Sequence, residues 1–150
     1  MPNWIEGTMK VRGTSEALMK FVENVFDANV NKHDGGDYVE YSIEDWVYIR
    51  DSRRAFTWGQ NYIEMDMPLD AVRIITIPVR QAWSFSAAEG DELRWLRLAQ
   101  EYGVDIRLQG FERGMEFYQD LCIENGKITI DEVKEYENWD WDCPMPTLGG

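Results

Sequence analysis

The chain has one histidine and two cysteines among its 150 residues, and these low numbers limit its chemistry. A structural zinc site needs about four nitrogen or sulfur ligands, which His33, Cys122 and Cys143 cannot supply at metal-binding spacing. Asp34 and Asp37 lie near His33, but the carboxylate spacing of a calcium loop is absent. We therefore expect no metal and no cofactor.

Long apolar runs are also missing from the sequence. No stretch has about 18 consecutive apolar residues, the length that crosses a bilayer, and no signal-like run opens the chain. The two cysteines are too few for a disulfide framework, which favours reduced thiols. These absences predict a soluble protein of the host-cell cytoplasm, with no membrane partner.

The residues of a catalytic centre are equally scarce. A serine or cysteine nucleophile needs an adjacent base, and nothing in the sequence places the single imidazole, His33, beside Cys122 or a serine. A glycine-rich phosphate loop is absent. Carboxylates are plentiful, but in a chain with 28 of them neighbouring pairs arise by chance. We predict no catalytic residues, and a carboxylate-based enzyme is the least favoured alternative.

Basic residues are few relative to acidic ones: 15 Lys and Arg against 28 Asp and Glu, with a formal net charge of −13. Such a charge repels nucleic acid and anionic membranes, and it attracts basic surfaces, including those of proteins that hold nucleic acid. The alternative is that the acidity only keeps a small protein soluble.

The stretch 72–126 predicts a strand, a helix, a second strand and a hairpin. Its first part is β-branched and apolar, and Val104–Gln109 alternates apolar with polar residues, which is the period of a strand. Between them, Leu93, Leu96 and Tyr102 lie at helical spacing, flanked by Trp95 and Leu98. Serine is a common helix cap, so the helix is expected to begin after residue 84 or 86.

The N-terminal part adds a strand over residues 1–13 and a helix over about 14–27. Residues 30–70 predict an irregular insertion, within which Ala55, Phe56, Thr57 and Trp58 resemble a short strand that Gly59 ends. The whole chain therefore predicts one α+β domain, residues 1–150, with a ferredoxin-like antiparallel sheet, two helices on one face and an acidic tail over 131–150.

Four short motifs occur in order along the chain: Met1-Pro2-Asn3-Trp4, Ala82-Trp83-Ser84, Glu112 with Gly114 and Phe117, and Glu124-Asn125-Gly126. Together they resemble a family of small phage- and plasmid-encoded proteins that have a ferredoxin-like domain and no assigned activity. Ile5 and Gly7 replace the usual Cys and Asn of that family, and Phe85-Ser86 replaces its Pro pair. The resemblance implies a ferredoxin-like fold and an origin in a mobile element, and it implies no catalytic residues.

The acidic residues are concentrated near the C-terminus, where ten acids and three bases follow residue 110. In the predicted strand, Glu116, Asp120 and Glu124 have the same parity as Tyr118, so all four would face one way. Like charges on one face oppose folding by self-repulsion, which favours a basic partner as the explanation. An ordinary solvated face is the alternative.

Two tryptophans of the tail, Trp139 and Trp141, alternate with Asp140 and Asp142. Trp is enriched among the residues that dominate binding energy at interfaces, so these rings are candidate anchors for a partner. The alternative is that the tail folds back and the rings cover the sheet.

These features predict a non-enzymatic counter-defence inhibitor from a phage or plasmid, with an anti-CRISPR protein as the specific form. It would mimic nucleic acid and occupy the basic channel of a nucleic-acid-handling protein such as a CRISPR effector nuclease, without binding nucleic acid itself. The alternative is a small cytoplasmic protein that binds a host or phage protein through an ordinary interface. The predicted partner-binding residues are Glu116, Tyr118, Asp120, Glu124, Asp131, Glu132, Glu135, Glu137, Trp139, Asp140, Trp141 and Asp142.

Overall fold

A computed structural model describes residues 2–27, 30–66, 68–88 and 93–150. Within these ranges the chain is a mixed α+β protein with a large antiparallel sheet and few helices, as predicted. The strands are β1 (Trp4–Thr14), β2 (Val30–Asp34), β3 (Tyr38–Ile43), β4 (Val47–Tyr48), β5 (Ala55–Thr57), β6 (Asn61–Asp66), β7 (Val72–Ala82), β8 (Asp105–Glu112), β9 (Phe117–Glu124) and β10 (Lys127–Glu135). The helices are α1 (Ser15–Val25), α2 (Arg94–Tyr102) and α3 (Trp139–Asp142).

The larger sheet has seven strands in the order β10-β9-β8-β1-β7-β5-β4, and the smaller sheet has three in the order β2-β3-β6. Every pair of neighbours is antiparallel. Buried residues of both sheets and of α1 and α2 belong to one hydrophobic cluster. β10 and β4 are therefore the two edges of a sheet that rests on a shared core.

β1 is the central strand of the larger sheet, and its apolar residues are buried on one face, as the alternating sequence predicts. Ile5, Met9 and Val11 are buried while the residues between them are more exposed. Gly7 breaks the apolar row and stands opposite Gly110 on β8. A Cβ atom on Gly7 would overlap the Gln109 carbonyl oxygen, so the two strands approach closely because this side chain is missing.

α1 begins as predicted after Thr14, whose hydroxyl accepts a hydrogen bond from the Ala17 amide at 3.1 Å. This contact satisfies one of the free N–H groups at a helix start. Leu18, Phe21 and Val22 point into the core at helical spacing. The predicted end at residue 27 is slightly too late, because the helix ends at Val25 and Phe26 is extended.

The prediction of an irregular insertion at 30–70 is wrong. This segment forms the smaller sheet together with β4 and β5. In β3, Val39, Tyr41 and Ile43 alternate as buried residues with more exposed neighbours, and in β6 Ile63 and Met65 do the same. The period was present in the sequence, but the runs are only six residues long and are separated by turns.

The predicted start of the second helix is also wrong. Ser84 lies in a turn, where it accepts a backbone hydrogen bond from Ala87 at 3.2 Å, and α2 is Arg94–Tyr102. Phe85 is fully buried, and its amide donates to the Gln119 side chain at 2.8 Å. These contacts hold the residues after β7 in a non-helical loop. The buried face of α2 is formed by Trp95, Leu98 and Ala99 rather than by the set centred on Leu96.

The acidic tail begins later than residue 131. Residues 131–135 continue β10, so the last strand ends at Glu135 and the segment after it carries only the short helix α3. Exposure on both faces removed the apolar alternation from this part of the strand, which is why its period was not visible in the sequence.

Candidate acidic interface

The hairpin of β9 and β10 carries most of the predicted partner-binding residues. Asn125 and Gly126 connect the strands with φ angles of 51° and 72°, the two left-handed residues that a type I′ turn requires. On β9, Leu121 and Ile123 face the core, and Asp120 and Glu124 project from the opposite face, as their parity predicts.

Asp120 is not available to a partner, which corrects its assignment as a contact residue. It is buried, and Arg107 on β8 donates to it twice, from Nε to Oδ1 at 3.0 Å and from Nη2 to Oδ2 at 2.6 Å. This hydrogen-bonded carboxylate raises the pKa of Arg107 further above its ordinary value. The charge of Asp120 is therefore neutralised inside the protein.

Glu124 is also engaged, because Arg12 on β1 bridges two carboxylates. Its Nη2 atom lies 2.8 Å from Asp105 Oδ2 and 3.3 Å from Glu124 Oε1. The hydrogen bond and charge of Asp105 are the main reason that the pKa of Arg12 is raised. Glu124 stays partly exposed, but it serves an internal ion pair and so adds little net charge to a docking surface.

Glu116 lies outside the strand that was predicted for it. It occupies the β8–β9 turn with a left-handed φ of 59°, and it precedes Phe117, which pairs with Glu135. Tyr118 is half-buried, and its hydroxyl accepts a hydrogen bond from Gln109 at 3.2 Å. Glu116 therefore lies near the end of β10, whereas Tyr118 packs against the sheet.

β10 presents its carboxylates without internal cations. It is an edge strand that pairs with β9, and Asp131, Glu132 and Glu135 are all exposed. Asp131 accepts a hydrogen bond from Gln119 at 3.2 Å, but the ion pairs among the described residues include none of these three acids. Alternation places Glu132 on one face and the other two on the opposite face, so the strand is acidic on both sides.

The two tail tryptophans have opposite environments. Trp139 is only 4% exposed, and its indole N–H donates to the Pro146 carbonyl at 3.0 Å. Trp141 is 85% exposed on α3, where Asn138 caps the turn by accepting from the Trp141 amide at 3.3 Å. Trp139 is therefore a packing residue, which corrects its assignment as an anchor, while Trp141 is free to contact a partner.

The exposed carboxylates of β10 and of the segment after it follow one another closely in the chain, and we call this set the acidic edge. The ion pairs of the described residues include no member of this group, whereas Asp120 and Glu124 on the adjacent strand are both paired. Lys127 and Lys134 are the basic residues in the same stretch. The acidic edge comprises Asp131, Glu132, Glu135, Glu137, Asp140 and Asp142.

A second surface, at the opposite edge of the sheet, was missed by the sequence reasoning. Trp46 and Tyr48 lie on or beside β4, Phe56 and Trp58 lie on or beside β5, and their rings contact one another. The available signal was the spacing of two residues within each pair, which places them on one face of a strand. A run with three arginines, residues 50–54, connects the two strands.

In the described ranges, no group of three or more His, Cys, Asp or Glu side chains is placed to hold a metal ion. Across the same ranges, no helix is long and apolar enough to span a membrane. Comparison of the chain with protein-family models, with curated proteins and with solved structures found no match.

Proposed function

We propose that this protein is a non-enzymatic inhibitor that uses the acidic edge to occupy a basic, nucleic-acid-binding surface of another protein. The proposed setting is counter-defence in the host cytoplasm by a phage or plasmid, with a CRISPR effector nuclease as the specific partner and an anti-CRISPR role as the result. The mobile-element origin rests on the motif resemblance, and the partner class rests on charge.

The observation that carries the proposal is the density of acids at this edge, where six of the twelve residues from Asp131 to Asp142 are Asp or Glu. Carboxylates on the inner strands, such as Asp105 and Asp120, have arginine partners within the sheet. Those of the acidic edge have no cationic partner among the described residues.

The strand also gives the acidic edge a defined geometry. Asp131 and Glu135 lie on one face of β10 and Glu132 lies on the other, so the edge is acidic toward both sides. Because the hairpin is anchored to the core by β9, these charges are presented on a firm support.

We also propose that the domain is ferredoxin-like. The order β8-β1-β7-β5, with α1 following β1 and α2 joining β7 to β8, corresponds to the split β-α-β arrangement. The buried faces of both helices join the same core cluster, which supports two helices on one face. β9 and β10 then extend the sheet beyond the basic motif and carry the acidic edge outward.

Charge reversal on β10 tests the functional proposal. We expect the Asp131→Lys, Glu132→Lys, Glu135→Lys variant to lose inhibition of an effector's DNA binding by about tenfold or more, because several ion pairs would become repulsions. Inhibition by the parent should weaken steeply as salt rises. A matched control reverses Glu40, Glu64 and Asp66 on the smaller sheet, which adds the same charge elsewhere.

A folded β10 variant that inhibits as well as the parent would exclude the acidic edge as the contact surface. If the parent binds no protein that handles nucleic acid, the mimicry proposal itself fails.

A second candidate is an ordinary protein interface at the same edge, and exposed apolar side chains favour it. Val133 is 58% exposed on β10, and Trp141 lies nearby in the chain on α3. If these side chains supply the binding energy, Trp141→Ala weakens binding to a captured partner and high salt leaves the affinity unchanged. Under the mimicry proposal, salt has the larger effect.

A further inference from the structure

The edge of the large sheet opposite β10 carries a surface built from aromatic rings and arginines, which we call the arginine–tryptophan surface. Tyr48, Phe56 and Arg80 stand directly opposite one another on β4, β5 and β7, so they project from one face of the sheet. The surface comprises Trp46, Tyr48, Arg54, Phe56, Trp58, Arg80 and Trp83.

The rings form a supported platform. Trp46 stacks on Phe56 with 3.7 Å between ring centroids and 17° between ring planes, and Phe56 is buried beneath it. Trp4 meets Phe56 edge-on at 5.3 Å. Trp46 itself remains 52% exposed, so much of a large π surface faces solvent on a packed base.

Trp83 is the second exposed indole of this surface, and it combines a strained backbone conformation with a cation–π contact to Arg54. Trp83 has a φ of 66°, a left-handed conformation that bulky residues rarely adopt. Its amide donates to the Asn3 carbonyl at 2.7 Å, which helps to hold this conformation. The Arg54 guanidinium lies 4.6 Å from the Trp83 ring centroid, and the ring stays 46% exposed.

The loop that presents the arginines is pre-organised. The buried Ser52 hydroxyl accepts hydrogen bonds from the Arg54 and Ala55 amides at 3.0 and 3.1 Å. From α2, Arg94 donates to the carbonyls of Arg50 and Asp51 at 3.2 and 3.0 Å. A loop fixed in this way loses little conformational entropy when a ligand binds.

Within the described residues, the arginines of this surface and its loop form few ion pairs. The ion pairs among the described residues include none of Arg50, Arg53 and Arg54. In the same ranges, the buried Nε atom of Arg80 has no hydrogen-bond acceptor, and the nearest ion-paired carboxylate, Glu6, lies 3.7 Å from its Nη2 atom. Guanidinium groups bind carboxylates strongly and with defined geometry, so acceptors of this kind suit the surface.

We infer that the arginine–tryptophan surface is a second binding site, for a protein segment in which carboxylates lie beside apolar side chains. The apolar side chains would pack on Trp46 and Trp58, and the carboxylates would pair with the arginines of the loop. Glu44 and Asp45 directly precede Trp46, so apolar side chains of the segment, and not its carboxylates, would lie over this ring. A nucleic acid strand fits less well, because it carries a charge at every nucleotide and the net charge of −13 repels a long polyanion. This site is independent of the acidic edge.

The test follows the indole N–H signals of ¹⁵N-labelled protein during titration with the blocked peptide acetyl-Leu-Glu-Leu-Asp-Leu-Glu-amide. Signals of Trp46, Trp58 and Trp83 are expected to shift. Trp95 and Trp139 serve as internal references, because their N–H groups are bonded to Gln81 at 2.7 Å and to Pro146 at 3.0 Å. The comparison ligands are the same peptide with Gln and Asn in place of its acids, and an oligothymidylate of about eight nucleotides.

Arg54→Glu is expected to weaken binding of the acidic peptide by about fivefold or more, because an attraction becomes a repulsion. Lys20→Glu makes the same charge change on an exposed site of α1 and should leave the affinity unchanged. The inference is overturned if the acidic peptide shifts no indole signal of the surface, or if the amide peptide binds equally well. Tighter binding of the oligothymidylate would instead assign the surface to nucleic acid.

Discussion

Arg107 on β8 clamps Asp120 on β9 through two hydrogen bonds, of 3.0 Å and 2.6 Å, on the sheet face turned away from the core. The pair joins neighbouring strands, and its carboxylate is buried while the guanidinium is partly exposed. Asp120 therefore belongs to the architecture of the sheet, although its position in the sequence suggested a role in binding.

Removal of this carboxylate should destabilise the fold. We expect Asp120→Ala to lower the free energy of unfolding by about 2–3 kcal/mol, since a buried partner of an ion pair is lost and Arg107 keeps some access to water. Glu132→Ala, at the residue opposite Asp120 on β10, should change it by less than about 0.5 kcal/mol. Urea unfolding of both variants measures the difference, and equal losses would contradict the assignment.

The two tail tryptophans provide a second matched pair. Trp139→Ala should cost about 3 kcal/mol, because a buried ring and its hydrogen bond to Pro146 are lost. Trp141→Ala should leave thermal stability nearly unchanged, because the ring is exposed. Melting curves followed by circular dichroism compare them. A large loss in the Trp141 variant would mean that this ring packs on the protein in solution.

Gly7 is expected to tolerate no side chain. In Gly7→Ala the new methyl group would meet the Gln109 backbone, so β1 and β8 would have to separate. We expect a loss of about 3 kcal/mol or more, at the upper end of the cost of overpacking. Thr8→Ala, at the exposed neighbouring position, is the control. Soluble yield and urea midpoint report the outcome, and a stable Gly7→Ala protein would contradict the close approach.

Glu23 should make stability depend on pH. Lys32 lies 2.8 Å from its carboxylate and the Tyr41 hydroxyl donates to it at 3.0 Å, and the hydrogen bond from Lys32 is the main cause that lowers the pKa of Glu23. A lowered folded-state pKa adds stability above the unfolded-state pKa, and this stability disappears as the pH falls through the folded-state value.

We therefore expect Glu23→Gln to be less stable than the parent by about 0.5–1 kcal/mol at pH 7, a small value because the pair is partly exposed. The difference should be smaller at pH 3, because the pH has then fallen below the ordinary carboxyl pKa of about 4.3 and toward the lowered folded-state value. Urea unfolding at the two pH values measures it. A difference that stays constant between them would show that the contribution is not electrostatic.

Sequence patterns predicted the elements whose faces differ in polarity. β8 alternates along its whole length, β1 alternates except at Gly7, and the Thr14 hydroxyl caps α1. Patterns failed where tertiary contacts decide the outcome. Ser86, for example, resembles a helix cap, but its hydroxyl accepts a hydrogen bond from Gln119, which lies 33 residues away.

The sequence predicted the charge of the candidate site and the strand face on which its acids lie, but it did not predict which acids form ion pairs with arginines. Parity correctly placed Asp120 and Glu124 on one face, but it could not reveal that Arg107 and Arg12 lie across from them on other strands. Composition likewise could not distinguish Trp139 from Trp141, because the two rings differ only in how the tail folds over Phe111.

β10 is an edge strand, and its unpaired side is a possible site of aggregation as well as of partner binding. An unpaired strand edge is a template for another chain, and surface charge is one of the means by which proteins prevent such growth. Ile128 and Val133 are exposed on this strand, and we expect the carboxylates of the acidic edge to keep copies of the protein apart. Variants that only delete these charges, or samples held in acid, should precipitate as β-rich aggregates, whereas reversal to lysine preserves the repulsion between copies.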